Sequence, residues 1–432
     1  MKILHYTLGF QPSRTGGLVK YAEDLMTQQA TDGHEVIALY PGEISIIFRQ
    51  VRIKKAENRK FQCYKIINSL PLALFGGISE PDEFMKSCDK ASYRKFLKNI
   101  KVDVIHIHSL IGLHKEFIEV AKELGIKTVF TSHDYYGLAP VPHFYFNGVD
   151  YSSNNTNLAW NIMSSNALSV KKLRFFQVSF YPTIRKLMKM LGKNPKSKKN
   201  LVIRDITEAI DYSALRSYYK AMFGLIDAYL FNSQLAKEVY EANHIIPKNN
   251  IIVSISNSSI SNHNIRVSSG EKTVVAYIGP DEEYKGYFDF LDIVNDLDQE
   301  KYDIKTYGHF PNEDCPPYIQ QNGYFTKDTV GSVYSNIDIL IVPSRWKETF
   351  GLISIEALSY DVNVFVSKNV GSKDLVSEEH IFHNKDDLLK KIQYVKFENV
   401  KFENVKFKTM KEHMVEIINY YERITNDNQK IN

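Results

Sequence analysis

The sequence predicts an α/β protein built from two doubly wound domains that face each other across a cleft. Short apolar runs of strand type alternate with segments of helical periodicity, and this alternation restarts near residue 272. A polar stretch, 262–272, separates the two runs. We therefore expect an N-terminal domain at 1–265, a second domain at 266–409 and a C-terminal helix at 410–432 that packs back on the first domain.

The first domain opens with a βαβ unit. The strand KILHYTL is followed by the loop GFQPSRTGG, by a helix with apolar residues at helical spacing, and by the strand HEVIALY. The later strands VDVIHIHS and KTVFTSHD end in polar residues, and DAYLFNS and IIVSISNS repeat this pattern. Because the carboxyl ends of strands in open α/β sheets face the ligand crevice, these polar ends predict a binding site.

The second domain repeats the alternation. The strand KTVVAYIG, the loop PDEEYKG, the helix YFDFLDIVNDL and the strand YDIKTYG come first. They are followed by a buried strand within VYSNIDILIVPS, by the segment VPSRWKETFGLISIEAL and by the strand VNVFVS. Two successive runs of this kind indicate two doubly wound sheets rather than one.

An insertion interrupts the first domain at about 139–204. No acidic residue lies between Asp150 and Asp205, whereas 171–199 carries ten Lys or Arg together with apolar residues at helical spacing. This pattern is typical of a basic amphipathic helix at an anionic membrane surface; the alternative is a helix packed on its own domain with a solvated basic face. The net charge of the whole chain is only +4, so nucleic acid is not an expected partner.

The cysteines and the apolar runs indicate where the protein works. Cys63, Cys88 and Cys315 are widely spaced and match neither a zinc pattern nor a disulfide framework. No apolar run approaches the roughly 20 residues needed to cross a bilayer, and the N-terminus turns polar too early for a signal peptide. We expect a cytoplasmic protein that also works at the cytoplasmic face of the membrane.

The segment VPSRWKETFGLISIEAL places Glu348 and Glu356 on either side of a Phe-Gly turn. Glu348 follows a buried strand, and a helix is expected to begin near Phe350 or Gly351. The free N–H groups of a helix start attract anions, and Gly351 lets a ligand approach the backbone closely. This arrangement suits a ligand with a diphosphate on one side and hydroxyl groups on the other, although most pairs of spaced glutamates are surface charges.

Two further features follow the first strand of each domain. Lys285, in the loop IGPDEEYKG, can neutralise a phosphate at the strand end, and an isolated Lys-Gly is also common on protein surfaces. Gly16 and Gly17 precede the first helix, where paired glycines either offer N–H groups to a phosphate or form a plain helix entry. Each feature is weak alone, and their order along the chain makes them specific.

These motifs together resemble the family-4 retaining glycosyltransferases of the GT-B fold. The similarity lies in TGGLVKYAEDL, VIHIHS, TSHDYY, LFNSQLAKEVY, GPDEEYKGY and PSRWKETFGLISIEAL, and the two glutamates separated by seven residues, followed by GSKDLV, are its most specific part. The insertion and the tail beyond about 380 are not covered. The resemblance implies two Rossmann-like domains, with the donor nucleotide sugar held by the second.

The resemblance also implies roles for individual residues. Glu348 and His133 are the implied catalytic residues, with Glu348 on the donor sugar and His133 near its reactive face. The implied nucleotide-sugar-binding residues are Gly16, Gly17, Gly279, Lys285, Tyr324, Arg345, Phe350, Gly351, Leu352 and Glu356. Within this set Lys285 contacts the diphosphate, Glu356 the ribose and Tyr324 the base, while Phe350, Gly351 and Leu352 supply backbone donors.

The chain departs from the family pattern at two positions. Pro280 stands where the family often has arginine, which removes a cation from the diphosphate pocket. Either Arg345 or a residue of the first domain replaces this cation, or the affinity for the donor is lower. Asp361 stands where a glycine usually follows the helix, and is expected to adopt the left-handed conformation.

Since Lys285 and the helix N–H groups stabilise the leaving diphosphate, no metal and no cofactor are expected, and the Asp-Leu-Asp at 296–298 is read as a helix end.

The expected activity is retaining transfer of a sugar from a nucleotide-diphosphate donor to a hydroxyl of a lipid-linked or polysaccharide acceptor, in surface polysaccharide synthesis. Two alternatives share the fold: a nucleotide-sugar epimerase, and a catalytically silent glycan-binding subunit. A dinucleotide-dependent oxidoreductase is disfavoured, because G-x-G-x-x-G follows neither leading strand. The sequence does not identify the sugar, the base, the linkage or the oligomeric state.

Overall fold

The computed structural model describes residues 1–45, 47–73, 76–178, 209–261, 263, 271–326, 328–394 and 407–426. The predicted basic helix at 171–199 is therefore described only as far as residue 178, and the repeat KFENVKFENVKF lies outside the described residues except for its last phenylalanine. None of the described helices combines the length and the apolar character that crossing a bilayer demands.

Two sheets organise the described chain, as the sequence predicts. The first has eight strands, in the spatial order Asn250–Ile252, Ala228–Phe231, Lys127–Thr131, Val104–Ile107, Lys2–Tyr6, Glu35–Pro41, Gln62–Ile67 and Arg52–Lys55. Neighbouring strands are parallel except for the last pair, which is antiparallel. The strand order reverses between Lys2–Tyr6 and Val104–Ile107, and this reversal is the switch point of a doubly wound sheet.

The second sheet has six strands in the described residues, and all its pairs are parallel. Its spatial order is Ile319–Gln321, Tyr302–Tyr307, Thr273–Ile278, Ile339–Val342, Asn363–Ser367 and Ile381–Phe382. Here the order reverses between Thr273–Ile278 and Ile339–Val342. A short antiparallel hairpin, Tyr145–Phe146 with Val149–Asp150, stands apart from both sheets within the predicted insertion.

Helices cover both sheets. The described α-helices are Gly17–Thr31, Pro81–Phe84, Ala91–Ile100, Lys115–Glu123, Asn157–Met163, Val170–Phe176, Ser213–Leu225, Gln234–Ala242, Tyr287–Asn295, Val330–Tyr334, Leu352–Leu358, Lys385–Tyr394 and Met410–Asn426. Short 3-10 turns lie at Glu283–Lys285, Gly371–Leu375 and Glu378–His380. Asp361 has φ of 59°, which is the left-handed conformation expected for it after the helix Leu352–Leu358.

Strand alternation divides the core of the first domain between two faces. Leu4 and Tyr6 point into one apolar cluster, whereas Ile3 points into another. The second cluster also contains buried residues of the helix Met410–Asn426, so the last described helix lies against the first domain. Tyr421 of this helix places its hydroxyl 2.5 Å from Nδ1 of the buried His106, which ties the helix to the sheet.

Candidate functional site

A cavity of about 300 Å³ lies between the two domains, at the carboxyl ends of their strands. This volume is at the lower end for small-molecule sites. The first domain contributes Gly17, Leu18, His133, Asn232 and Ile255. The second domain contributes Tyr277, Ile278, Gly279, Pro280, Lys285, Val342, Pro343, Ser344, Trp346, Glu348, Thr349, Phe350, Gly351, Leu352 and Ile353. The second-domain residues lie at or after the carboxyl ends of the two strands that flank the switch point, which is where ligands bind in such sheets.

Lys285 and Glu348 form an ion pair in the cavity wall. Lys285 Nζ lies 2.6 Å from Glu348 Oε1, and Ser344 Oγ donates a 2.6 Å hydrogen bond to Oε2. The Lys285 ammonium also lies 5.1 Å from the centroid of the Trp346 ring, within range of a cation–π contact. The cavity therefore presents a cation and a carboxylate whose positions are fixed by neighbours on both sides.

The turn that positions Lys285 requires glycine. Gly286 has φ of 76°, and a Cβ atom there would lie 1.9 Å from the carbonyl oxygen of Pro343. Pro343 follows the adjacent strand, Ile339–Val342, so the two strand ends are in direct contact at this point. This close approach brings Lys285 beside Glu348, although 63 positions separate them along the chain.

The start of the helix Leu352–Leu358 forms another wall. Phe350, Gly351 and Leu352 all line the cavity, and Gly351 has φ of 92°. A side chain at Gly351 would also place its Cβ only 2.8 Å from Val370 Cγ1. The first N–H groups of a helix have no partner within it, so this end of the helix can offer donors at the cavity wall.

Glu356 lies outside the residues that line the cavity, and its carboxylate is already engaged. Oε1 accepts a 2.6 Å hydrogen bond from Asn257 and pairs with the Lys20 ammonium, while Oε2 accepts from Tyr334 at 3.1 Å. Lys20 belongs to the first domain and Glu356 to the second, so the pair bridges the two domains. A ribose would reach this carboxylate only in competition with Lys20.

Three other predicted binding residues lie away from the cavity lining. Tyr324 is 64% exposed and packs edge-on against Phe310. Arg345 forms a bidentate ion pair with Asp289, with donor–acceptor distances of 2.5 and 2.6 Å, so it does not replace the cation that Pro280 removes. Gly16 caps the first helix with φ of 118°, while its neighbour in the sequence lines the cavity.

His133 is part of the cavity wall, and its imidazole is held from behind. Nε2 lies 3.2 Å from His108 Nδ1, and Nδ1 lies 3.4 Å from Asn232 Nδ2. The backbone carbonyl of His133 accepts a 3.0 Å hydrogen bond from Thr349 of the other domain. Burial lowers the pKa of His133 to about 3, with the nearby His413 as a second cause, so the ring is neutral at physiological pH.

Several residues that help to form the site are not among those that the sequence motifs predict. Trp346 packs under Lys285, Asn232 contacts His133, and Ser344 holds Glu348. Trp346 and Ser344 lie in the same segment as Glu348, after the buried strand Ile339–Val342, and Asn232 directly follows the strand Ala228–Phe231. Their position at strand ends is the signal that identifies them, since the side chains themselves form no motif.

Among the described residues, one group of three histidines has ring nitrogens close enough to one another to be considered as a metal site. Ring nitrogens of His5, His106 and His108 lie within 4.8 Å of one another, in the interior of the first domain. Each of the six nitrogens already has a hydrogen-bonding neighbour, and no carboxylate belongs to the group. A divalent cation would enter this apolar interior without a compensating charge, so the group fits a hydrogen-bonded network better than a metal site.

Comparison with known proteins finds two family models on this chain. The model described as Glycosyltransferase Family 4 matches residues 15–164, and the model described as Glycosyl transferases group 1 matches residues 319–406. A curated Klebsiella pneumoniae protein, called an uncharacterized 41.2 kDa protein in the cps region, is 26% identical over 112 residues. That match covers 25% of this chain and 31% of the Klebsiella protein.

Solved structures with low identity share the whole architecture. Sucrose-phosphate synthase from Thermosynechococcus elongatus is 12% identical, with a TM-score of 0.55 over 100% of this chain and 98% of its own. The catalytic domain of Arabidopsis thaliana starch synthase IV, bound to ADP and acarbose, is 12% identical, with a TM-score of 0.53 over 98% and 99%. Anabaena HepE in complex with UDP is 10% identical, with a TM-score of 0.53 over 100% of both chains.

Proposed function

Because the chain belongs to the group 1 glycosyltransferases and has their GT-B fold, we propose that it transfers a sugar from a nucleotide-diphosphate donor to a hydroxyl acceptor, with retention at the anomeric carbon. The observation that carries this proposal is the shared cavity: Lys285, Glu348 and the helix start at Phe350 come from one domain, and His133 comes from the other. A diphosphate fits beside the lysine and the helix N–H groups, and the sugar then extends toward His133.

The chemistry assigned to these residues is electrostatic. Departure of a nucleoside diphosphate builds negative charge on the phosphate oxygens, and the Lys285 ammonium together with the amides at the helix start stabilises that charge. The bond from the anomeric carbon to the diphosphate oxygen breaks, and the carbon becomes oxocarbenium-like. The acceptor hydroxyl attacks from the face that the leaving group vacates, and its proton passes to an oxygen of the departing diphosphate. The protein residues supply the positive charge in this proposal, so the reaction proceeds without a metal ion.

The acceptor class rests on other observations. The partial similarity to a protein of a Klebsiella cps region supports a surface polysaccharide or its lipid-linked precursor as acceptor.

The basic segment 171–199 supports contact with an anionic membrane, and in its described part the side chains of Lys171 and Lys172 are exposed. Replacing both lysines by glutamate should reduce co-sedimentation with phosphatidylglycerol vesicles and leave the weak background with phosphatidylcholine unchanged. Equal binding to both vesicle types before mutation would refute the membrane contact.

A binding screen followed by product analysis tests the proposal. Nucleotide sugars with uridine, adenosine and guanosine bases are compared for their effect on thermal unfolding, since a ligand at 100 times its Kd stabilises the native state by about 2.7 kcal/mol. The stabilising donor is then incubated with glycan acceptors, and NMR gives the anomeric configuration of the product. Formation of a free epimer, or inversion at the anomeric carbon, would contradict the proposal. Inorganic phosphate is the control for unspecific anion binding.

A further inference from the structure

A row of buried polar side chains runs from the interior of the first domain to the cavity. Gln29 Oε1 lies 2.7 Å from His5 Nε2, and His5 Nδ1 lies 3.0 Å from His108 Nε2. His108 Nδ1 then lies 3.2 Å from His133 Nε2, and His133 Nδ1 lies 3.4 Å from Asn232 Nδ2. Gln29, His5 and His108 are fully buried, so these contacts are not replaced by water.

The amide of Asn232 indicates the direction of the hydrogen bonds in the row, but its 3.4 Å contact with His133 is too long to hold the His133 tautomer without the inner residues. Its Nδ2 donates a 3.0 Å hydrogen bond to the carbonyl oxygen of Ser132. Turning the amide over would put two oxygen acceptors in contact, so Nδ2 must face both Ser132 and His133. His133 Nδ1 is consequently the acceptor in that contact, and a neutral His133 carries its proton on Nε2.

The same reasoning extends inward. His133 Nε2 donates to His108 Nδ1, which leaves the His108 proton on Nε2, and that proton is donated to His5 Nδ1. His5 in turn carries its proton on Nε2 and donates to Gln29 Oε1, which is the acceptor that the structure places there. The two ends of the row therefore agree on one direction, although 203 positions separate Gln29 from Asn232.

The surroundings keep the row neutral. The groups that face it are aromatic or imidazole side chains: Tyr21, His106, His413 and Tyr421. Burial lowers the pKa of His5 to about 4, and burial together with the neighbouring imidazoles also lowers the pKa of His108 well below its usual value. A row of neutral imidazoles has one proton per ring, and a directed row is the arrangement that satisfies each contact.

We propose that Gln29, His5 and His108 are positioning residues that hold His133 in the Nε2–H tautomer, so that Nδ1 offers the cavity a hydrogen-bond acceptor. The Nδ1–Asn232 contact is the longest of the row, at 3.4 Å, and both residues line the cavity. A hydroxyl group of a bound sugar can therefore take this acceptor. The ligand identity rests on the proposed function, whereas the tautomer does not. The Nδ1–H tautomer would instead present a donor to the cavity, and this donor would also face the Nδ2 donor of Asn232.

Nitrogen NMR of the protein labelled with ¹⁵N in its histidine rings tests the proposal without any substrate. Two-bond ¹H–¹⁵N correlations distinguish a protonated from an unprotonated ring nitrogen, and His133→Gln identifies the His133 signals by their loss. We expect His5, His108 and His133 each to carry the proton on Nε2. A His133 signal with the proton on Nδ1, or an even mixture of tautomers, would overturn the proposal whether or not the protein transfers sugar.

Variants at position 108 separate positioning from a general structural role. His108→Phe removes the acceptor of His133 Nε2–H, and we expect the His133 signals to shift to a mixture of tautomers. His108→Asn keeps an acceptor near the position of Nδ1 and should restore the single tautomer. His114→Phe is the control, since His114 is a buried histidine bonded to Tyr93 outside the row. An unchanged His133 tautomer in His108→Phe would overturn the proposal; if that variant does not fold, the wild-type and His108→Asn spectra decide.

Discussion

Lys285 Nζ lies 2.6 Å from Glu348 Oε1, so the lysine and the carboxylate neutralise each other in the cavity wall before a ligand enters. Both side chains are partly buried, with 24% and 14% exposure, and their attraction is therefore only partly screened by water. A diphosphate that binds Lys285 competes with Glu348 for the same ammonium group. This competition gives opposite expectations for the two single variants.

Glu348→Gln should bind nucleoside diphosphate more tightly and transfer sugar more slowly. The substitution keeps the shape of the side chain and removes the charge that competes for Lys285, so the Kd of UDP or ADP should fall about fivefold, equivalent to about 1 kcal/mol. The carboxylate proposed to contact the donor sugar is lost, and kcat should fall by about 100-fold. Calorimetry and steady-state kinetics measure the two effects. Weaker nucleotide binding in this variant would contradict the competition.

Lys285→Ala should weaken binding of the same nucleotide by about 100-fold, because one charge-assisted contact to a diphosphate contributes about 1.5–3 kcal/mol. Isothermal titration gives the Kd directly. Lys301→Ala is the matched control, since Lys301 lies in the same domain and is 75% exposed. An equal loss of affinity in both variants would point to the general charge of the domain rather than to this lysine.

Lys20→Met should destabilise the protein by about 2 kcal/mol, because it leaves the buried carboxylate of Glu356 without its cation. Asn257 and Tyr334 still donate hydrogen bonds to that carboxylate, which keeps the loss below that of a fully unpaired charge. Lys2→Met is the control, because its partner Glu35 is 51% exposed and such a surface pair contributes at most about 1 kcal/mol. Urea unfolding measures both. Equal changes would show that the bridge between the domains contributes no more than a surface pair.

Gly286→Ala should destabilise the second domain by more than about 2 kcal/mol, since the new Cβ would meet the Pro343 carbonyl at 1.9 Å with φ of 76°. Gly224→Ala is the opposite case. Gly224 lies in the helix Ser213–Leu225 with open space around its Cβ, so alanine should stabilise by about 0.5–1 kcal/mol. Thermal unfolding separates the two. A mild effect at Gly286 would mean that the contact between the strand ends is loose.

Acid should destabilise the protein through its buried histidines. The pKa of His5 is lowered to about 4, and those of His114 and His413 to about 3, chiefly by burial. The unfolded chain binds a proton at each of these sites below about pH 6.5 and the native state does not. Stability is therefore present above pH 6.5 and falls by about 1.4 kcal/mol per histidine for each pH unit toward the folded pKa values.

One buried carboxyl group acts in the other direction. Burial raises the pKa of Asp134 to about 7, although hydrogen bonds from Tyr136 and Ser109 oppose the shift. The native state thus holds this proton more tightly than the unfolded chain, and the resulting stability is full below about pH 4 and is lost as pH rises toward 7. Unfolding curves of Asp134→Asn and His114→Phe at pH 5 and pH 8 should isolate the two contributions. The difference in unfolding free energy between the two pH values should change in opposite directions in the two variants. Parallel pH profiles for both variants would contradict the assignment.

Local patterns predict the strand ends of this protein well, because a strand end is a local property. Lys285, Glu348 and His133 each follow an apolar run, and the sheets bring all three to one cavity. Arg345 also follows such a run, only three positions before Glu348, yet its guanidinium turns to Asp289 on a neighbouring helix. No sequence pattern specifies which of two adjacent charged side chains faces the ligand, since that depends on the partner each one finds.

Long-range partners are the part that the sequence does not reveal. Lys20 and Glu356 are 336 positions apart, and the two residues lie in helices of different domains. The histidine row is different, because a signal was present in the sequence. His106 and His108 alternate along one strand, and His5 is the register partner of His106 on the neighbouring strand, so period-two geometry places these imidazoles on one face.

The hairpin Tyr145–Phe146 with Val149–Asp150 has a kinetic consequence. Tyr145 donates a 3.0 Å hydrogen bond to Glu283, and the Lys347 ammonium lies 3.4 Å from the Asp150 carboxylate. The hairpin therefore connects the two domains on the side of the cleft where Lys285 lies. Separation of the two domains would break both of these contacts. We expect the nucleotide product to leave slowly, and we expect its release rate to rise as added salt weakens the Lys347–Asp150 ion pair, so that opening of the cleft limits product release.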